Sequence, residues 1–228
     1  MAEHDFARNR AALRIFLQRW RYSLLLGLLV VAVFAQALTP QQGAGLVFVE
    51  GAFALSILGA ARATGASWSA LVALVALTFI RFSIEAAGPL DDSRAMEAVN
   101  LIVAVLLAMG VLRLTLIALF TREARGADAL AGAAFGFLLL AVVWALMFIA
   151  VETLAPGSFK LIEDAGSVDA QLFYFSLVTI TTTGFGDIVP ATPATRLLAG
   201  FEAVTGTLYI AILIGRLLGV AYEARPPR

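Results

Sequence analysis

Six apolar runs long enough, or nearly so, to cross a bilayer, and a seventh too short to do it, set the limits on what this chain can fold into. The six extend over about Tyr22 to Leu38, Leu46 to Ala61, Trp68 to Ala87, Met96 to Phe120, Asp128 to Val151 and Ala194 to Tyr222. Crossing the hydrocarbon takes roughly 17–25 helical residues, so the second and third runs sit near the minimum. The seventh, Asp169 to Thr181, holds only about a dozen residues and predicts a helix that enters the membrane and stops inside it. Backbone polar groups find no water in lipid, so the spanning runs must be helices. Charged residues make up only 14% of the 228 positions, against about a quarter in a soluble domain. The fold class is therefore an all-α membrane protein: six transmembrane helices, with a short re-entrant helix and a loop between helices five and six.

The same composition excludes several functions. Sixteen basic residues balance sixteen acidic ones, which leaves no electrostatic footprint for nucleic acid. With no cysteine, neither a disulfide nor a thiolate metal site exists, and the redox compartment cannot be read. The single histidine, His4, and the absence of a nucleotide-binding glycine loop leave no catalytic constellation, so neither an enzyme nor a cofactor is expected. Nearly all the basic residues are arginine, which together with abundant alanine fits a GC-rich bacterial genome.

After the short helix, for which Ser167 or Asp169 is the N-cap, comes Ile180-Thr181-Thr182-Thr183-Gly184-Phe185-Gly186-Asp187-Ile188-Val189-Pro190. A ring of backbone carbonyls can replace a cation's hydration shell without a buried fixed charge. Turning successive carbonyls to one side demands alternating, partly left-handed dihedrals, and Gly184 and Gly186 alternate with Thr183 and Phe185 as that demands. The C-terminal end of the short helix would direct its negative pole at the cavity below and favour a cation there.

The run Thr182-Thr183-Gly184-Phe185-Gly186-Asp187 resembles the selectivity filter of the tetrameric potassium-channel family. That resemblance implies four copies of the loop around one axis, a homotetramer. Potassium sites would be lined by the carbonyls of Thr182, Thr183, Gly184 and Phe185 with the Thr182 hydroxyl, and Gly186 would complete the filter. Thr183 stands where valine is usual, and Phe185 replaces the usual tyrosine and its hydroxyl. Asp187 would brace the filter or attract ions at its outer mouth. The resemblance continues through Arg196-Leu197-Leu198, Glu202 and Gly206. Gly206 stands where the family's inner helix carries a hinge glycine, with close packing against helix five as the rival reading. By position Thr207, Ile210, Ile214 and Gly215 would line the inner cavity, and Leu218 would approach the cytoplasmic constriction. Glu202 lies too deep for solvent and is read as supporting the filter through pore-helix groups such as Thr179 or Tyr174.

Four segments follow: a cytoplasmic amphipathic arm (1–21), a sensor-like four-helix domain (22–125), a pore domain (126–222, with pore helix 169–181 and filter 182–187) and a tail (223–228). The arginines of the N-terminal arm, Arg62, Arg122, Arg125, Arg225 and Arg228 fall on one side, against Arg94, Lys160 and Arg196 on the other. Basic residues favour the cytoplasmic face, so both termini are placed there, in a multi-pass cell-membrane protein. Only Arg113 of helix four lies within the bilayer, and near its inner face, so intrinsic voltage dependence is expected to be weak or absent. Arg81 and Glu85, one turn apart, read as an ion pair that Glu50 could join. Glu152, Glu163, Asp164 and Asp169 against Lys160 read as a solvated polar loop, or a negative vestibule that concentrates cations. The function expected is passive potassium conduction. The rivals are a poorly selective cation channel, a potassium transporter and a non-conducting regulatory subunit.

Overall fold

The computed structural model describes residues 20–38, 44–86, 94–121 and 127–223. Its helices are α1 (Arg21–Leu38), α2 (Ala44–Ala63), α3 (Trp68–Ala86), α4 (Arg94–Thr121), α5 (Ala127–Leu154), α6 (Val168–Ile180) and α7 (Pro193–Glu223). Two short strands, β1 (Phe159–Lys160) and β2 (Val189–Pro190), pair antiparallel with Phe159 opposite Pro190 and Lys160 opposite Val189. Within α4, α5 and α7, residues 97–120, 128–154 and 193–213 are long and apolar enough to cross a membrane. The described apolar stretches Arg21–Ala35, Gly51–Ala63, Trp68–Arg81 and Val168–Ile180 are shorter. The N-terminal arm and the side chains of Glu50, Glu85, Ile214 and Leu218 lie outside the described residues.

Two compact units share the chain. Of the described residues, the first takes those in 20–82 and 107–138, the second those in 83–106 and 139–223. In the first, α1 and α2 run antiparallel: the Arg21 guanidinium donates to the Ala63 carbonyl at 2.9 Å, and one turn along each helix Leu25 packs on Gly59. Asp128, at the start of α5, accepts the Tyr22 backbone N–H at 3.0 Å and pairs with Arg21 at 3.8 Å. A carboxylate at the first turn of α1 meets N–H groups that have no intrahelical partner, and the pole there favours its charge. α2 ends at Gly65 (φ 67°), whose left-handed backbone costs glycine nothing, and Ser67 opens α3 by accepting the Ala70 N–H at 3.3 Å.

In the second unit an aromatic cluster joins α5, β1 and α6. The ring centroids of Phe148 and Phe159 lie 5.3 Å apart, those of Phe148 and Phe175 5.3 Å, and those of Phe159 and Phe175 5.5 Å, with Trp144 6.0 Å from Phe148. All three phenylalanines are buried, and their tilted and edge-on packing suits the ring quadrupoles. The connection from α5 to α6 folds on two polar side chains. Glu152 accepts the N–H groups of Gly157 (2.7 Å) and Phe159 (3.0 Å) with its two carboxylate oxygens. Gln171 on α6 accepts the Ile162 N–H (2.8 Å) and donates to the Ile162 carbonyl (3.1 Å). Glu152 thus closes the turn that follows it. α7 begins at Pro193, whose missing N–H costs nothing at a first helical position, with Thr192 and Thr195 exchanging backbone-to-hydroxyl bonds of 3.2 Å across its first turn.

Candidate functional site

Ser167 caps α6, its extended backbone (φ −70°, ψ 155°) presenting the hydroxyl to the Ala170 N–H. Thr181 is the C-cap at the other end, so the helix stops one residue before Thr182. Last-turn carbonyls of a helix lack intrahelical partners. Here the following loop supplies them: Thr182 N–H donates to the Thr179 carbonyl (2.9 Å), while Thr183 N–H (2.8 Å) and Gly184 N–H (3.1 Å) both donate to that of Val178. The Thr181 hydroxyl bonds the Leu177 carbonyl at 2.7 Å and stands 3.0 Å from the Thr183 hydroxyl. The loop's first N–H groups are thereby engaged with α6, which leaves its own carbonyls free for another use.

The loop's conformation alternates residue by residue. Thr182 (φ 57°), Gly184 (φ 53°) and Gly186 (φ 78°) are left-handed, and Thr183 and Phe185 between them are not. This period of two is what a row of carbonyls on one side of an extended chain requires. A Cβ on Gly184 or Gly186 would meet nothing within 4 Å, so these positions call for glycine because of their backbone angles and not for room. The left-handed backbone of Thr182 is what sequence reasoning missed. A β-branched side chain in the left-handed region is a genuine outlier that costs of order 1–3 kcal/mol, and it persists only where surrounding bonds over-determine it. Residues 181 to 187 are all exposed in the single chain, Phe185 to 70%.

Two side-chain bonds hold the loop and its supporting helix from outside. The Tyr174 hydroxyl on α6 donates to Asp187 Oδ2 at 2.7 Å, and Asp187 Oδ1 accepts the Ile188 N–H at 3.0 Å. The hydroxyl's hydrogen bond holds the Asp187 carboxyl below its ordinary pKa, and the same bond, with burial second, raises that of Tyr174. A depressed carboxyl contributes its stabilisation at neutral pH and loses it only as pH falls through the lowered value. Tyr174→Phe removes the main cause, so Asp187 in that variant should take up its proton at higher pH than in the wild type. Carboxyl carbon chemical shifts followed through an acid titration check this, and identical midpoints would show that the bond is not formed.

Behind the loop, α6 and α7 run side by side in the same direction, in a constant register: Ser176 meets Glu202, and Ile180 meets Gly206. Ser176 Oγ lies 2.5 Å from Glu202 Oε1 and 2.8 Å from the Ala141 carbonyl oxygen of α5. Glu202 does reach α6, but at Ser176 and not at Tyr174 or Thr179. The reason is helical phase. The residues of α6 that face α7 recur one turn apart at 176 and 180, whereas Tyr174 is turned away to Asp187. Glu202 has no exposed surface, and its Oε2 has no hydrogen-bond partner among the described residues. Gly206 packs on the end of α6 rather than on α5: an added Cβ would overlap the Ile180 carbonyl oxygen and come 2.7 Å from Ile180 Cγ1. α7 is a continuous helix through this point. Thr207, Ile210 and Gly215 are exposed along it.

Comparison with a family model falls on this same part of the chain. Residues 138–223 match the family model described as "Ion channel". "Two-pore potassium channel 4" of Arabidopsis thaliana is 45% identical over 51 residues, 22% of this chain and 17% of that protein. "Two-pore potassium channel 1" of the same plant is 38% identical over 86 residues, 34% and 22% of the two chains. "Two pore potassium channel c" of Oryza sativa subsp. japonica is 34% identical over 90 residues, 40% and 19%. The matches thus span 17–22% of the length of these curated relatives. No solved structure matches the chain. From the second half of α5 to the end of α7, this multi-pass membrane protein is thus similar to an ion-channel family, and over part of its length it is similar to plant potassium channels.

Proposed function

We propose that the chain is one subunit of a potassium channel, in which Thr182, Thr183, Gly184, Phe185 and Gly186 form the selectivity filter and K+ passes by knock-on between adjacent sites. The observation that carries this reading is the alternation of left-handed backbone at Thr182, Gly184 and Gly186, in a loop whose first N–H groups are taken up by α6. Carbonyl rings of this kind replace ion hydration without a fixed charge. Four copies complete a ring, so the assembly proposed is a homotetramer. Each subunit would cross the membrane six times with α6 as the re-entrant pore helix and both termini cytoplasmic. Asp187 and Tyr174 brace the filter from outside, and Glu202 supports it from behind. Thr207, Ile210, Ile214 and Gly215 face the inner cavity, with Leu218 at the constriction and Gly206 as the point about which α7 bends. Within residues 97–120 Arg113 is the single basic residue, so gating by voltage is weak or absent.

The test is the reversal potential of the purified protein in a planar bilayer with potassium on one side and sodium on the other. A value near the potassium equilibrium potential is the expected result. A value near zero with real current would favour the second reading, a poorly selective cation channel. Two features of the filter motivate that reading: Thr183 in place of valine, and Phe185, which has no hydroxyl to donate behind the filter.

A further inference from the structure

Three oxygens stand in a row where α5, α6 and α7 meet: the Ala141 carbonyl oxygen, Ser176 Oγ and Glu202 Oε1, separated by 2.8 Å and 2.5 Å. Both separations are hydrogen-bonding distances for oxygen. A carbonyl brings no proton and a hydroxyl brings one, so two hydrogen bonds among these three atoms need a second proton. Only Glu202 can bring it. We infer that Glu202 is a neutral carboxylic acid that donates from Oε1 to Ser176 Oγ, while Ser176 donates to the Ala141 carbonyl, so that one directed chain of hydrogen bonds fastens all three helices.

The ionised alternative leaves two faults. Ser176 would give its one proton to the carboxylate, and its oxygen would then face the Ala141 oxygen at 2.8 Å with no hydrogen between them. Oε2 would be a charged oxygen with no exposed surface and no donor, and Glu202 has no ion-pair partner among the described residues. Burying an unpaired charge is far more costly than burying a neutral acid. With the proton in place, Oε2 is an ordinary carbonyl oxygen, and the aligned donors polarise one another.

The row matters for the filter because of where Ser176 stands. It is two residues before Val178, whose carbonyl holds the N–H groups of Thr183 and Gly184. Fixing Ser176 against α5 and α7 therefore fixes the helix end from which the loop hangs. Glu202 is in this sense a positioning residue. Its effect on conduction rests on the channel reading above, whereas the location of its proton does not.

The experiment is an infrared difference spectrum of purified wild type against Glu202→Gln at neutral pH. The carbonyl stretch of a protonated carboxylic acid should be present in the wild type and lost in the variant. Ser176→Ala, which removes the acceptor, should shift that band and not abolish it. Carboxylate stretches in the difference spectrum, with no acid band, would overturn the proposal. In bilayers Glu202→Gln, whose amide can still donate to Ser176, should keep sustained potassium current, and Glu202→Leu, of similar size with no donor, should lose most of it. A Leu variant that conducts as the wild type does would remove the positioning role. An acid band in a wild-type protein that passes no potassium would instead count against the channel reading alone.

Discussion

Alanine at position 206 is expected to lower the thermal midpoint of the purified protein and to remove most of its potassium current. In an unobstructed helix the exchange would help, since alanine is favoured over glycine by about 1 kcal/mol. Here the new methyl overlaps the Ile180 carbonyl oxygen, a backbone atom that cannot turn aside as a side chain can. Overpacking typically costs about 1–3 kcal/mol, and a backbone obstacle puts this case at the upper end, so the steric term wins. Ile180 immediately precedes the C-cap of α6, so relief of the clash displaces the root of the proposed filter. Gly200 is the internal control: it lies in the same helix with nothing within 4 Å of an added Cβ, and alanine there should leave the midpoint unchanged or raise it. A Gly206→Ala protein at least as stable as the wild type would show that the contact is not limiting and would leave Gly206 only its hinge role.

The second large effect is expected at Phe148. This ring has no exposed surface and touches Trp144, Phe159 and Phe175, so it ties α5 to β1 and α6 at once. Truncating a buried phenylalanine to alanine costs about 3–5 kcal/mol. Phe148→Ala should therefore lower the unfolding midpoint strongly, with Phe148→Leu retaining a good part of the loss. Denaturant unfolding in micelles measures both variants. A cost under about 1 kcal/mol would mean that the site collapses around the missing ring and that the cluster does not hold the unit together.

What could be read from residues alone follows physical lines. The loop was legible because Gly184 and Gly186 are required by their own backbone angles, a local demand that leaves its mark in the sequence. The start of α6 at Ser167 was legible for a similar reason, since a capping hydroxyl is also a local demand. Thr182 was not, because its left-handed backbone is imposed on a residue that disfavours it by hydrogen bonds to α6. The partner of Glu202 was also out of reach. Depth in the membrane marked it as buried, but choosing Ser176 over Tyr174 and Thr179 needs the register of two parallel helices, which no local pattern encodes. At Glu152 the charge was legible, but not that its two oxygens fasten the turn that follows through two backbone N–H groups.

The parallel course of α6 and α7 has a consequence for the segment that joins them. Two helices lying side by side in the same direction cannot be connected by a tight turn, because the chain must first climb back along the length of the helix it has just descended. α6 has 13 residues, so at 1.5 Å each that climb is about 20 Å. Residues 181–192 must cover it, and a chain gains at most about 3.3–3.6 Å per residue even when fully drawn out. Fully extended, that segment would reach about 40 Å, twice the climb, so it has length to spare for the loop's alternating dihedrals and for the turns at its two ends. Removing two or three residues between Ile188 and Thr192 would still leave a reach of about 30 Å, more than the climb needs, so the deletion should break the pairing of β1 with β2 at Val189 and Pro190 before it strains the loop.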